Sequence, residues 1–334
     1  MTHMTCLDKL FDARDILEFE NVQEAFDRIK HLYETHCQDI REALQAFAKD
    51  DKIKQSDHAT YPLVGIIVQG IQEINEVSYS FGMINTPGVY ACTVTQPVLF
   101  ETYLKEQLSI LKTHYPELKI YVGLSHDPIP LPFVIDKGHP CLSKKHMQAL
   151  KTHFVHPQLI HIDDHIVNHT YTQLPHKPAP LSLFTAERTD FSLHRLHHYT
   201  GTAPRHFQNF ILLTNYQRYI GEFYTYALEK LKEDKNFIGF VGPGDFEINQ
   251  SDRDKKDTFY TPMHLPQMPA YHLKRADGNG ITFINMGVGP SNAKTITDHL
   301  AVLRPHCWMM LGHCAGLRQH QMLGDYVLAH GYVR

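Results

Sequence analysis

Apolar residues recur at helical spacing over the first fifty residues of the chain, with charged residues between them. This period predicts helices over residues 7–50 with one solvated face, and Asn21 marks a break between them. The polar run DDKIKQSDH at residues 50–58 ends the helical unit. The apolar positions are Leu7, Leu10, Phe11, Ile16, Leu17, Phe19, Val22, Phe26, Ile29, Leu32, Tyr33, Ile40, Ala43, Leu44 and Phe47.

Short apolar or alternating runs follow, and these predict strands. They cover residues 61–68, 77–81, 89–94 and 119–124, with the turn signal NTPG at residues 85–88. Pro97 is placed to open a helix that continues to Leu111. Pro128, Pro130 and Pro132 predict a rigid extended loop. Helices and strands in this order indicate an α+β domain.

Strands and helices alternate in the second half, which predicts an α/β domain. Strands are predicted at residues 207–213, 237–240, 271–274, 281–286 and 324–332. The run DGNG at residues 277–280 predicts a hairpin between two of these strands. Residues 250–266 have the composition of a surface excursion, and residues 172–182, with three prolines among polar residues, are the predicted domain boundary.

One stretch in this half predicts a βαβ unit. An apolar run at residues 281–286 is followed by a helical pattern through Ala293, Ile296, Leu300 and Leu303, and a second apolar run covers residues 307–311. The two strands are therefore expected to be parallel neighbours joined by a right-handed crossover.

Small residues follow both strands of this unit. Residues 287–291 read GVGPS and residues 312–316 read GHCAG, so backbone N–H groups can approach a ligand closely. Ser291 is expected to cap the helix through its hydroxyl, and the remaining N–H groups favour an anion. The alternative is a pair of tight turns that bind nothing. Pro290 and Ser291 interrupt the dinucleotide-binding fingerprint, so that ligand is not indicated.

Arg218 lies in the first turn of the helix predicted after residues 207–213. The helix dipole disfavours a cation in this position, so a neighbouring negative charge is expected. Either a bound anion or a carboxylate side chain would supply that charge.

The bulk composition excludes several classes of protein. The net charge of −4 gives no general basic field for nucleic acid. Six scattered cysteines form no C-x-x-C pair, the N-terminal residues do not resemble a secretory signal, and the longest apolar run, residues 63–68, is too short to span a bilayer. We expect a reduced, soluble, cytoplasmic protein.

Four residues in the predicted linker carry metal-ligating groups: His161, Asp163, Asp164 and His165. Their spacing matches no structural zinc pattern, and exposed polar residues are the more common outcome. We predict no metal site.

Several long blocks resemble the AMP nucleosidase family, which belongs to the purine nucleoside phosphorylase-like superfamily. The most specific blocks are NMGVGPSNAKTITDHLAVLRP and MLGHCAGLR. Further blocks, in order along the chain, are YACTVTQPVLFETYLKEQLSIL, PLPFVID, RTDFSLHRLHHYTGT, HFQNFILLTNYQRY and QMPAYHL. The resemblance covers nearly the whole chain. It implies hydrolysis of the N-glycosidic bond of AMP to adenine and ribose 5-phosphate.

The resemblance also implies a set of substrate-binding residues. Thr214 and Arg218 match the phosphate-binding strand end of the superfamily, and His198 matches, less closely, a histidine that reaches a neighbouring subunit's site; His194 and His197 compete for that role. The remaining members line the crevice and pass beside the sugar and base: Gly287, Gly289, Ser291, His313, Cys314, Ala315 and Gly316.

Two departures from the superfamily pattern bear on catalysis. Met310 stands where the hexameric phosphorylases carry a second arginine, and His313 replaces a serine, which fits a hydrolase. The superfamily's ribose-binding Met-Glu segment and catalytic aspartate lie downstream of Arg334. We therefore name no general acid, since Asp245, Asp277 and Asp325 do not match the motif, and we expect the 334-residue chain to be inactive or impaired.

By the same resemblance, residues 1–182 are an α+β N-terminal regulatory domain, and residues 183–334 are an incomplete α/β nucleoside phosphorylase-like catalytic domain. No tightly bound cofactor is implied. ATP with Mg is the implied allosteric activator, phosphate the inhibitor, and a homohexamer the implied assembly. Two alternatives remain open: a non-catalytic nucleotide-binding regulatory protein, and a phosphorylase of a related purine nucleoside.

Overall fold

A computed structural model describes residues 5–50, 59–70, 84, 86–135, 142–250 and 265–329. The chain divides into two compact units, Met1–Arg195 and Leu196–Arg334. This division falls within the helix Ala186–Thr200. The domain boundary that the sequence places after residue 182 stays a prediction.

The first unit is an α+β arrangement around a five-stranded sheet. Its strands are β1 (Arg14–Phe19), β2 (Thr60–Val68), β3 (Gly88–Thr93), β4 (Ile120–Pro128) and β5 (Ala179–Pro180). Its helices are α1 (Cys6–Phe11), α2 (Val22–Asp50), α3 (Glu101–His114), α4 (Lys144–His153) and α5 (Ala186–Thr200), and the last continues into the second unit. The strand order is β1-β4-β2-β3-β5, antiparallel except for the parallel pair β3 and β5.

The helical prediction over residues 7–50 is wrong for residues 14–19, which form β1. Asp12 ends α1 in the left-handed conformation, at φ 47°, and this turn interrupts the helical period. The backbone then pairs antiparallel with β4, Leu17 opposite Val122. The break at Asn21 is confirmed, because its side chain accepts hydrogen bonds from the N–H groups of Gln23 (2.7 Å) and Glu24 (3.2 Å) and so caps α2.

Most of the other elements predicted in this unit are confirmed. The strands at residues 61–68, 89–94 and 119–124 and the helix after Pro97 are present, whereas α4 and α5 lack a predicted counterpart. The proline-rich loop is only partly as predicted, because β4 runs through Pro128 and Leu131–Phe133 forms a 3₁₀ turn. The strand predicted at residues 77–81 lies outside the described residues.

A buried carboxylate joins four elements of this unit. Asp190 of α5 accepts a hydrogen bond from the hydroxyl of Tyr61 on β2 at 2.8 Å. The hydroxyl of Thr95, just after β3, lies 2.8 Å from both carboxylate oxygens and 3.2 Å from the hydroxyl of Tyr33 on α2. Burial raises the pKa of Asp190 to about 7, even though its hydrogen bonds act in the opposite direction.

The second unit is built on a six-stranded mixed sheet. Its strands are β6 (Phe210–Thr214), β7 (Phe237–Gly242), β8 (Phe246–Asn249), β9 (Ala270–Arg275), β10 (Ile281–Asn285) and β11 (Cys307–Leu311), in the order β11-β6-β10-β9-β7-β8. Its helices are α6 (Gln217–Glu233) and α7 (Pro290–Leu300). α6 packs Ile220, Phe223, Ala227 and Leu231 against one sheet face, where they meet Phe240 and Phe283.

The predicted βαβ unit is present, but its two strands are not neighbours. β6 lies between β10 and β11 and pairs in parallel with both. The crossover through α7 and the 3₁₀ turn Ala301–Leu303 is long enough to pass over one intervening strand. The handedness of this crossover stays a prediction.

The remaining predictions for this unit are mixed. The hairpin of β9 and β10 is confirmed by antiparallel pairing, with Leu273 opposite Ile281. β8 lacks a predicted counterpart. The strand expected at residues 324–332 is wrong for residues 324–329, which are exposed and form no strand; residues 330–332 lie outside the described residues. So does most of the excursion predicted at residues 250–266.

Within the described part of the chain, no helix is both long and apolar enough to span a membrane.

Replacing Asp190 by Asn should flatten the pH dependence of the first unit's stability. The folded-state pKa is raised from 3.8 to about 7, so protonation favours the fold. This stability is fully present below pH 3.8 and is lost as pH rises through 7, by at most about 1.4 kcal/mol per pH unit. Urea unfolding between pH 4.5 and 7, followed by far-UV circular dichroism, should show the loss in wild type and little of it in Asp190→Asn. Fluorescence of Trp308, the only tryptophan, reports the second unit as an internal control.

Gly280 and Gly221 offer a matched pair of alanine substitutions in the second unit. A Cβ at Gly280 would lie 2.1 Å from the carbonyl oxygen of Leu273 and 2.6 Å from Oε1 of Gln208, so Gly280→Ala should destabilise by about 1–3 kcal/mol. A Cβ at Gly221, inside α6, meets no described atom within 4 Å, so Gly221→Ala should stabilise by about 0.4–1 kcal/mol. Urea unfolding followed by Trp308 fluorescence measures both, and equal effects would contradict the steric argument.

Candidate functional site

Three parallel strands end in register at one edge of the second sheet. Thr214, the last residue of β6, pairs with Asn285 of β10 on one side and Leu311 of β11 on the other. Thr214 is fully buried, and adjacent strands lie about 4.8 Å apart. The turns that follow the three strands therefore lie side by side, and together with these three strand ends they are called the strand-end site.

Two helices begin at this site without a side-chain cap. Tyr216 is the N-cap of α6 and Gly289, at φ 107°, is the N-cap of α7. The expectation that Ser291 caps α7 is wrong, because the helix begins one residue earlier, at Pro290, whose fixed φ suits the first helical position. Uncapped first-turn N–H groups and the helix dipole favour an anion at the start of a helix.

Hydrogen bonds fix the turn after β10 against β6 and α6. The N–H of Met286 donates to the carbonyl of Thr214 at 2.9 Å, and the N–H of Gly287 donates to Oδ1 of Asn285 at 3.2 Å. The amide of Asn285 donates to Oε1 of Gln217, the first residue of α6, at 2.9 Å. Gly287 and Gly289 both have positive φ, which lets the backbone turn at this point.

Arg218 is the second residue of α6 and is exposed. The first turn of α6 has no acidic residue, and no described carboxylate forms an ion pair with the guanidinium. Of the two predicted sources of negative charge, the carboxylate side chain is therefore not found among the described residues. An anion at Arg218 stays a prediction.

An aromatic cluster completes the site on the β11 side. Nε2 of His313 lies 2.6 Å from the hydroxyl of Tyr219, and its ring centroid is 4.4 Å from that of Tyr216. Sequence reasoning missed both tyrosines, although their spacing of three residues on one helix was a usable signal. The next three predicted residues, Cys314, Ala315 and Gly316, are exposed and belong to no helix or strand.

His198 is not brought to the strand ends within the described chain. It lies exposed on α5, with its ring centroid 5.3 Å from that of Tyr199. The proposed reach into a neighbouring subunit's site stays a prediction.

The polar residues considered for a metal make other contacts. Nδ1 of His161 lies 3.0 Å from a carboxylate oxygen of Glu187, whose pKa is raised by burial. Asp164 accepts from the guanidinium of Arg188 at 2.8 Å. The described residues contain no group of three or more His, Cys, Asp or Glu side chains that could hold a metal ion.

The three aspartates named as possible acids each accept hydrogen bonds from other groups of the chain. Asp245 follows β7 and accepts from the N–H of Ala203 at 2.8 Å. Asp277 lies in the β9–β10 turn, where its hydrogen bond with Arg275 lowers its pKa to about 2. Asp325 accepts from the N–H of Met322 in an exposed segment.

Known proteins similar to this chain share one description. Residues 24–178 match the family described as "Bacterial AMP nucleoside phosphorylase N-terminus". AMP nucleosidases of Escherichia coli K12 and of Escherichia coli O157:H7 are each 39% identical to the chain over 318 residues, which is 93% of this chain and 65% of the relative. The chain thus spans just under two thirds of the length of these relatives.

A solved structure with the same name is also similar. The crystal structure of AMP nucleosidase from Bacteroides thetaiotaomicron VPI-5482 shows 26% identity and a TM-score of 0.28, and the match covers 41% of this chain and 45% of that one. The chain is therefore similar to AMP nucleosidases over nearly its whole length, and residues 24–178 match the N-terminal family model.

Proposed function

We propose that the chain binds AMP at the strand-end site and serves the hydrolysis of its N-glycosidic bond to adenine and ribose 5-phosphate. The observation that supports this proposal is the meeting of two uncapped helix N-termini beside Arg218. The 2.9 Å hydrogen bond between Asn285 and Gln217 holds the end of β10 against the start of α6, and α7 begins at Pro290 in the turn that follows. We propose that one phosphate engages both helix starts. The E. coli relatives, at 39% identity, carry the name AMP nucleosidase.

The chemistry explains why a phosphate site matters for this reaction. The ribose becomes oxocarbenium-like as the C–N bond breaks, and adenine leaves more readily if an acid protonates a ring nitrogen. Binding energy from the 5'-phosphate, which does not react, can hold the ribose in its reactive geometry. Arg218, Thr214 and residues 287–291 are the proposed phosphate ligands, and residues 313–316 the proposed neighbours of the sugar and base.

The described strand-end site offers groups for binding but no carboxylic acid for adenine. The turns after the three strands, residues 215–216, 286–289 and 312–316, contain no Asp or Glu. Asp245, Asp277 and Asp325 hydrogen-bond to other groups. Loss of a general acid typically costs about 10²- to 10⁴-fold in rate. We therefore propose that the 334-residue chain binds AMP but cleaves it slowly.

Regulation and assembly are proposed from the family resemblance alone. ATP with Mg would activate and phosphate would inhibit through residues 1–182. The chain would assemble as a cytoplasmic homohexamer in which His198 completes an adjacent site.

Adenine release separates this function from its two alternatives. We expect AMP to bind, and adenine to appear at least about 10²-fold more slowly than with the E. coli relative under the same conditions. Liquid chromatography of the base measures the rate. Adenine from adenosine only with added phosphate would indicate a phosphorylase, and tight AMP binding with no adenine at all would indicate a regulatory protein. A rate equal to that of the relative would contradict the proposal that the site lacks a general acid for adenine.

Replacing Arg218 by Ala should weaken phosphate-bearing ligands selectively. One charge-assisted contact is worth about 1.5–3 kcal/mol, so AMP and ribose 5-phosphate should lose that much affinity while adenine loses none. Isothermal titration calorimetry measures all three ligands. Lys232→Ala is the matched control, because it removes one exposed positive charge from the far end of the same helix. An equal loss for adenine would show that Arg218 supports the structure rather than the phosphate.

A further inference from the structure

The hydrogen bond between His313 and Tyr219 joins two residues 94 positions apart in the sequence. Nε2 of His313 lies 2.6 Å from the tyrosine hydroxyl, and no described atom is hydrogen-bonded to Nδ1. The imidazole is exposed, and it packs beside Tyr216, the N-cap residue of α6. His313 therefore lies against the same helix start that carries Arg218.

Tyr219 is the fixed member of this pair. Its ring is partly buried and packs against the apolar core of the second unit, next to Ile220 in α6. His313, by contrast, lies in the exposed segment that follows β11. The position and direction of the phenol oxygen are thus set by the helix and the core, and the imidazole orients to meet it.

The direction of this hydrogen bond decides which ring nitrogen carries the proton. A phenol O–H is a stronger donor than the N–H of a neutral imidazole, and an unprotonated ring nitrogen is a good acceptor. When Tyr219 donates to Nε2, the proton of neutral His313 must lie on Nδ1. Nδ1–H is then an exposed donor at a site that already offers N–H groups and Arg218 to an anion.

We propose that Tyr219 is a positioning residue that holds His313 in the Nδ1–H tautomer, so that Nδ1 donates to an oxygen of the bound nucleotide. This inference rests on the proposed function, because it places a further donor at the same site. The oxygen belongs either to the phosphate or to a ribose hydroxyl, and both are hydrogen-bond acceptors. In metal sites, too, a hydrogen bond at one ring nitrogen fixes a histidine's tautomer, although there the ring N–H donates to the partner group.

The tautomer is tested on the full chain without ligand. Long-range ¹H–¹⁵N spectra of protein labelled at histidine, assigned with His313→Ala, should show Nδ1 protonated in wild type. Tyr219→Phe should remove that preference, whereas Tyr226→Phe, which deletes an exposed hydroxyl further along α6, should leave it unchanged. A wild-type His313 protonated on Nε2 would overturn the proposal.

Ligand titrations test the second half of the inference. Tyr219→Phe should lower the affinity for AMP about three- to tenfold, which is the effect of losing one neutral hydrogen bond. A parallel loss for inorganic phosphate, with adenosine unaffected, assigns the acceptor to the phosphate; the reverse assigns it to the ribose. Unchanged AMP affinity in this variant overturns the inference alone. AMP that fails to bind wild type overturns the proposed function as well.

A folding control keeps the test decisive. Far-UV circular dichroism should give the same spectrum for Tyr219→Phe and wild type. If that variant unfolds, His313→Ala serves as the test instead, because it changes an exposed side chain. It should show the same three- to tenfold loss of affinity for AMP. Wild-type affinity in His313→Ala would contradict the proposal.

Discussion

Parallel pairing of β6 with a strand on each side is the constraint on which the second unit depends. Because Asn285 and Leu311 both lie opposite Thr214, three chain segments leave the sheet at the same level. The starts of α6 and α7 and the segment of His313 are neighbours only for this reason. A shift of one residue in either pairing would turn side chains to the opposite face and separate these groups.

The first unit depends on a different kind of interaction, a carboxylate with no access to water. Asp190 accepts hydrogen bonds from the hydroxyl groups of Tyr61 and Thr95, which lie far from it in the sequence. These hydrogen bonds offset only part of the cost of burying the charge, as its raised pKa shows. The packing of α5 on the sheet is therefore coupled to the protonation of one side chain.

Sequence patterns predicted most of the long elements and the residues at the strand ends. The 29-residue helix α2 and the long strands have enough periodic positions to define a phase, whereas β1 does not. Ile16, Leu17 and Phe19 fit a helix as well as a strand when read alone. Their pairing with β4, about a hundred residues later, decided the matter. Ser291 was likewise a reasonable candidate for the N-cap of α7. The helix begins at Pro290, so Ser291 lies inside it.

The sequence by itself determined most of the long helices and strands, and it placed Thr214, Gly287 and Gly289 at or just after strand ends and Arg218 in the first turn of the following helix. Tertiary structure alone decided that β6 lies between β10 and β11, and that Tyr219 meets His313. Local elements follow from hydrogen bonds and sterics among near neighbours in the chain. Strand order and side-chain partners depend instead on hydrogen bonds and packing between distant segments, and a one-dimensional pattern carries no record of those distances.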